Sequence, residues 1–210
     1  MASFYDVVAP VYGFWSSLFE ARAARQAYEV AGLAGGERVL EVAVGGGEFF
    51  CTLAKTAGLK RCAGVDLSAP MLSRARRRLA AAGVERRNLC RANGLSLPFG
   101  NATFDILFNL YMIDLLMEGD FPGVFKEFAR VLRPGGRLIV LSMARQSRAV
   151  NAIWRWLYRR SPLMTGGCRP VPVDVLLASN GWKIDLREVI TQCRFRTELI
   201  VAIFAAGTGQ

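Results

Sequence analysis

Apolar and polar positions change period several times along the chain, and each change marks an element. Between Phe4 and Gly32, Tyr5, Val8, Tyr12, Trp15, Leu18 and Phe19 recur at helical spacing. Pro10 and Gly13 break this run early, and Ala21 to Val30 continues as an amphipathic helix that Gly32 stops. A short apolar strand, Arg38 to Ala43, then enters Gly45-Gly46-Gly47. Glu48 to Ala57 reads as a helix and Cys62 to Asp66 as a second strand. Ser68 caps the next helix, with Pro70 in its first turn and a solvated basic face of Arg74, Arg76, Arg77 and Arg78. Asn88 to Ala92 is a third strand, Phe104 to Leu110 a fourth, and Phe121 to Leu132 a helix. Pro134-Gly135-Gly136 turns the chain into a fifth strand, Arg137 to Met143.

Strands alternating with helices predict an α/β fold: a doubly wound, mostly parallel sheet covered on both faces. Beyond residue 145 the pattern changes. Val150 to Tyr158 is rich in tryptophan, Val173 to Asn180 is helical, and Lys183 to Val189 and Thr197 to Ala205 are strands with no helix between them. That pair predicts an antiparallel hairpin at the sheet edge and brings the expected strand count to seven.

Composition narrows the chemistry. The chain has 210 residues, enough for one domain with a substantial core. Mean hydropathy is +0.26, yet no apolar run reaches the roughly 18 residues that span a bilayer. No basic segment precedes an apolar one at the N-terminus, so a secretory signal is not expected and a cytoplasmic chain is. There is no histidine, which excludes Ser-His-Asp and Cys-His nucleophiles and imidazole-bound zinc. Cys51, Cys62, Cys90, Cys168 and Cys193 are scattered without a C-x-x-C pair, so reduced, packed thiols and no metal are expected. The net charge of +10, mostly arginine, permits nucleic acid, an anionic bilayer or an acidic small molecule as partner and does not choose among them.

The sharpest signal is Val39-Leu40-Glu41-Val42-Ala43-Val44-Gly45-Gly46-Gly47, a strand delivering a glycine-rich turn to the end of the sheet where ligands bind. Asp66 ends the second strand 19 residues after Gly47, where a carboxylate can accept both hydroxyls of a ribose. No Lys-Ser/Thr follows the loop and the G-x-G-x-x-G spacing is absent, which disfavours a P-loop and a dinucleotide. Glu48 beside the loop would repel a pyrophosphate. A positively charged nucleoside without phosphates fits better.

These residues resemble the class I S-adenosylmethionine-dependent methyltransferases over residues 37 to 145. Glu41 to Gly47 is similar to that family's first motif, with Ala43 in place of a glycine, and implies cofactor contacts from Glu41, Ala43, Gly45 and Gly47. Asp66-Leu67-Ser68-x-x-Met71 resembles the second motif. It implies Asp66 on the ribose and Leu67 and Met71 against adenine. Asn93-Gly94 stands where the family usually has Asp-Ala, and the Asn93 carbonyl can still accept from the adenine amine. Leu132 to Gly136 matches the turn before the fifth strand. The resemblance implies S-adenosylmethionine as cofactor. It divides the domain into an N-terminal helical lid (1–32), a cofactor core (37–145) and an acceptor-side segment with edge strands (146–210).

Phe4-Tyr5-Asp6-x-x-Ala9-Pro10-x-Tyr12 resembles the entry segment of quinone C-methyltransferases and bacterial phosphatidylethanolamine N-methyltransferases, and Asn109 to Ile113 is closer to the latter. By that resemblance Tyr5, Tyr12 and Tyr111 orient cofactor or acceptor, and Asn109 joins the cofactor residues. Asp114 is either a base or a turn residue. The expected reaction is methyl transfer to a lipid head-group amine, with a soluble amine, thiol or phenol and a quinone carbon as alternatives. Trp154, Trp156, Arg159 and Arg160 suit either an anionic membrane surface or a cap over the active site. Nucleic acid is disfavoured, because no base-reading motif follows the fourth strand.

Overall fold

The computed structural model describes residues 21–56, 58–84, 88–145, 156, 160, 169–192 and 195–204. Tyr5, Tyr12, Trp154, Arg159, Cys168, Cys193 and residues 1–20 of the expected lid lie outside them. In chain order the elements are α1 (Ala21–Ala31), β1 (Arg38–Val42), α2 (Glu48–Lys55), β2 (Arg61–Asp66), α3 (Ala69–Ala81), β3 (Leu89–Arg91) and β4 (Phe104–Leu110). Then follow α4 (Phe121–Val131), β5 (Leu132–Met143), α5 (Val173–Ser179), β6 (Trp182–Gln192) and β7 (Phe195–Phe204).

The strands form one seven-stranded sheet in the order β3-β2-β1-β4-β5-β7-β6. β1 to β5 run parallel, and β7 lies antiparallel between β5 and β6. Alternate residues of the central strands feed two cores. Val39, Ile106, Phe108, Ile139 and Leu141 pack with α1, α2 and α3. Leu40, Leu107, Leu138 and Val140 pack with α4 and α5. A sheet covered on both faces needs strands that are largely apolar; in β4 only Leu110 is less than buried, and its two polar residues, Asp105 and Asn109, are hydrogen-bonded to β1.

Local chemistry sets the helix ends. Ser68 caps α3 by accepting the Met71 N–H, and Met71, Leu72, Ala75 and Leu79 form its buried face. α1 buries Ala23, Ala27 and Ala31 at four-residue spacing and ends at Gly32, where φ is +54°. Its last carbonyls are satisfied from across the fold: the Arg137 guanidinium donates to Ala31 O at 2.6 Å and Val30 O at 3.4 Å.

The start of β5 differs from the expectation. The strand begins at Leu132, not Arg137, because Leu132 pairs with Phe104 and Arg137 with Ile106. Residues 133–136 therefore bulge opposite the single residue Asp105. That carboxylate holds the bulge, with Oδ1 2.7 Å from the Arg133 guanidinium and Oδ2 accepting the Arg38 N–H at 2.7 Å.

Candidate functional site

β1 pairs with β2 on one side and β4 on the other, so the strand order reverses there and a crevice opens at the carboxyl ends. A cavity of about 380 Å³ occupies it. The glycine loop makes one wall, and Asp66, Leu67 and Met71 make a second. Asn93, Gly94 and Leu95 form a third, and Leu110, Tyr111, Met112, Leu116 and Val124 form an apolar far side, with Ala21 and Ala24 of α1 beside it.

The loop is held from both flanks. The N–H groups of Ala43 and Val44 donate to Val65 O at 2.8 and 3.1 Å. Asp66 accepts the Gly45 N–H on Oδ2 and the Ser68 N–H on Oδ1, each at 2.8 Å. From α3, Arg78 donates to Gly46 O at 2.8 Å and pairs with Glu48. The arginine face is solvated as expected, with Arg76, Arg77 and Arg78 exposed. Arg78 also clamps the loop, a contact across 32 residues that helical periodicity cannot reveal.

Ala43, Gly45 and Gly47 all have positive φ, at 68°, 52° and 81°. Gly45 lines the cavity, and an added Cβ would meet nothing within 4 Å: the backbone there is bare toward the space a ligand would take. Gly47 does not line the cavity; its task is packing, since a Cβ would lie 2.7 Å from the Ala75 Cβ. Ala43 carries the strain of a left-handed backbone with a side chain. Ala43→Gly is therefore expected to raise stability by about 1 kcal/mol, the relief of 1–2 kcal/mol less the added freedom of the unfolded chain. A shift of the urea midpoint at unchanged slope would measure it.

Nine of the sequence-derived residues line the cavity: Glu41, Ala43, Gly45, Asp66, Leu67, Met71, Asn93, Gly94 and Tyr111. Asn109 does not. It is fully buried and its amide donates to Val42 O at 3.1 Å, tying β4 to β1. Asp114 is also away from the cavity: its Oδ2 accepts the Met143 N–H at 2.7 Å, a turn residue's task and not a base's. The Asn93 Oδ1 accepts the Leu95 N–H at 3.0 Å. Tyr111 is buried, and its hydroxyl is 2.8 Å from that of Thr197. Ala21, Ala24, Leu116 and Val124 also line the cavity. Sequence reading had placed them only on helices and turns.

Three carboxyl groups, Glu41, Glu48 and Asp66, border the cavity, so it favours a cation. Glu41 is 2% exposed, and its Oε2 has no hydrogen-bond partner among the described residues. Burial first, then the charges of Asp66 and Glu48, push its pKa well above the ordinary 4.5. Burial also raises Asp66, against the lowering effect of the N–H groups of Ser68, Gly45 and Leu67.

The native state thus holds the Glu41 proton more tightly than the unfolded chain does. Glu41's contribution to stability is full below about pH 4.5 and is lost as pH rises through its raised value, with a slope of at most about 1.4 kcal/mol per unit. Glu41→Gln is expected to flatten the stability–pH curve above pH 5 and to raise the neutral-pH melting temperature of the free protein. Calorimetric scans from pH 5 to 8 would show an unchanged slope if Glu41 were already ionised.

A methyltransferase-domain family model matches residues 39–136. A demethylmenaquinone methyltransferase of Thermus thermophilus is 32% identical over 164 residues, 78% of this chain and 72% of that one. The ubiquinone/menaquinone biosynthesis C-methyltransferase UbiE of Syntrophotalea carbinolica is 33% identical over 159 residues, 74% of this chain and 65% of its own length. Among solved structures, the [4+2]-cyclase SpnF superposes with a TM-score of 0.76 at 18% identity, covering 96% of this chain and 94% of that one. At that identity the likeness concerns the fold.

Proposed function

The chain belongs to the class I S-adenosylmethionine-dependent methyltransferases, and we propose on that premise that it methylates a ring carbon of an isoprenoid quinol. Similarity to quinone methyltransferases over most of the chain carries this reading. It supports the quinone carbon over the head-group amine, which the segment after β4 had suggested. The apolar lining given by Leu110, Tyr111, Met112, Leu116 and Val124 suits a flat, largely apolar acceptor better than a zwitterionic head group.

The residues present fit S-adenosylmethionine. The volume suits a nucleoside with an amino-acid tail, and Asp66 together with Glu41, which a bound cation would draw toward its ionised form, suits its positive charge. Asp66 keeps lone pairs beyond those used by the loop and would take the ribose hydroxyls. Leu67 and Met71 would cover adenine, and Asn93 would accept from its amine. Glu41, with an unbonded buried oxygen, would receive the ammonium. When bound, the cofactor supplies a methyl group already activated on sulfur. The chain's own work is then to orient the acceptor and exclude water. Of the four titratable side chains on the cavity among the described residues, three are already bonded: Glu48 to Arg78, Asp66 to the loop, Tyr111 to Thr197. Orientation is thereby favoured over proton transfer by the protein.

We place all these functions in a single domain, with residues 1–32 as its lid. No helix among the described residues is long and apolar enough to cross a membrane. We infer peripheral contact instead. Leu67 and Leu95, 45% and 36% exposed, border the cavity, and Trp156 and Arg160 are exposed elsewhere. The test is labelled S-adenosylmethionine offered to vesicles that contain phosphatidylethanolamine and a demethylated menaquinol. Label is expected in the quinone fraction; label in phosphatidylethanolamine would return the acceptor to the head group.

A further inference from the structure

Tyr111 and Thr197 are separated by 86 residues and meet through the sheet topology. β7 inserts between β5 and β6, so Thr197 pairs with Met143 on one side and Ile190 on the other. Thr197 is 2% exposed, and its hydroxyl lies 2.8 Å from that of Tyr111. Tyr111 borders the cavity with its backbone at φ 58°, and its N–H donates to Leu141 O at 2.7 Å. A left-handed conformation at an aromatic residue persists only where its surroundings hold it. Here the main chain is held by β5 and the side-chain tip by β7.

Building on the proposed acceptor, we propose that Thr197 is a positioning residue for methyl transfer: its hydroxyl anchors that of Tyr111, so that the aromatic ring and not the phenol forms the acceptor wall. A ring suits stacking against a planar acceptor. A phenol released into the same wall would place a polar group where the neighbours, Leu110, Met112 and Leu116, are apolar. Phe195, two residues before Thr197, supports the same ring at 6.4 Å between centroids.

Thr197→Val keeps the side-chain shape and removes the hydroxyl. It is expected to raise KM for a short-chain demethylated naphthoquinol about ten-fold, the scale of one lost hydrogen-bonded anchor in the acceptor wall. The Kd for S-adenosylmethionine should stay within about two-fold, and Thr197→Ser should restore the wild-type KM. The double variant Tyr111→Phe/Thr197→Val should be less impaired than Thr197→Val alone, because the hydroxyl that lost its anchor is removed with it.

A second readout follows the contact itself. With tyrosine labelled at Cζ alone the chain gives one signal per tyrosine, five in all, and Tyr111 is assigned by its loss in Tyr111→Phe. Its signal is expected to move in Thr197→Val and to return in Thr197→Ser. An unmoved signal would overturn the proposal. So would cofactor affinity and melting temperature falling in step with turnover, since Thr197 would then be merely structural. If the wild type does not methylate the naphthoquinol, the acceptor reading fails on its own. The positioning role is then decided by whether S-adenosylmethionine shifts the Tyr111 signal differently in wild type and Thr197→Val; identical shifts overturn it.

Discussion

Asp66→Ala is expected to weaken S-adenosylmethionine binding on the order of 100-fold, since hydrogen bonds to a charged group are each worth about 1.5–3 kcal/mol. The loss has two sources. The carboxylate that would take the ribose hydroxyls disappears, and so does the acceptor for the Gly45 and Ser68 N–H groups. The loop is then free to leave the geometry that bares Gly45 to the cavity. Asp66→Asn keeps the shape and one acceptor, so its affinity should fall between the two. Isothermal calorimetry measures all three proteins, and wild-type affinity in Asp66→Ala would remove Asp66 from the cofactor site.

Gly47→Ala is expected to destabilise the protein by about 2–5 kcal/mol, from about 1–2 for a left-handed backbone and about 1–3 for overpacking. The new Cβ would lie 2.7 Å from the Cβ and 2.8 Å from the Cα of Ala75. Neither is the end of a flexible chain, so α2 and α3 would have to separate. Gly45→Ala provides the contrast. It meets no atom within 4 Å, so it should cost only the backbone strain while filling part of the cavity. Urea unfolding should therefore rank Gly47→Ala far below Gly45→Ala, while cofactor affinity is reduced in Gly45→Ala although its fold is intact. Equal stabilities would mean that the α2–α3 contact is loose.

What could be read from the sequence was what depends on neighbours in the chain. Short apolar runs located β1, β2 and β4, the first by its entry into the glycine loop, and the Ser68 cap placed α3 because its bond spans only three residues. The cavity's cofactor-side residues were legible for the same reason: Glu41 to Gly45 and Asp66 to Met71 are contiguous segments at strand ends. Contacts between distant segments were hidden. The Asp105–Arg133 pair turned an expected loop into a bulged strand, and Arg137 closes a helix that ended more than a hundred residues earlier. Asn109 joined the cofactor residues through the resemblance of the segment after β4, which could not show that its amide bonds the neighbouring strand. Thr197 gave no signal at all, since a threonine in an alternating strand is ordinary until its partner is known.

The place of β7 has a consequence for how the molecule comes into being at the ribosome. β5 is complete at Met143, but its open edge is covered only by a strand that begins at Phe195. At elongation rates of about 5–20 residues per second, synthesis of the intervening fifty-odd residues takes about 3–10 s. Throughout that time the nascent chain presents Leu138 to Leu141, apolar and with half of its main-chain groups unpaired, as a template for another strand. A chain stalled in this interval would keep that template exposed, and completion of the last strand both removes the hazard and brings Thr197 to the Tyr111 hydroxyl.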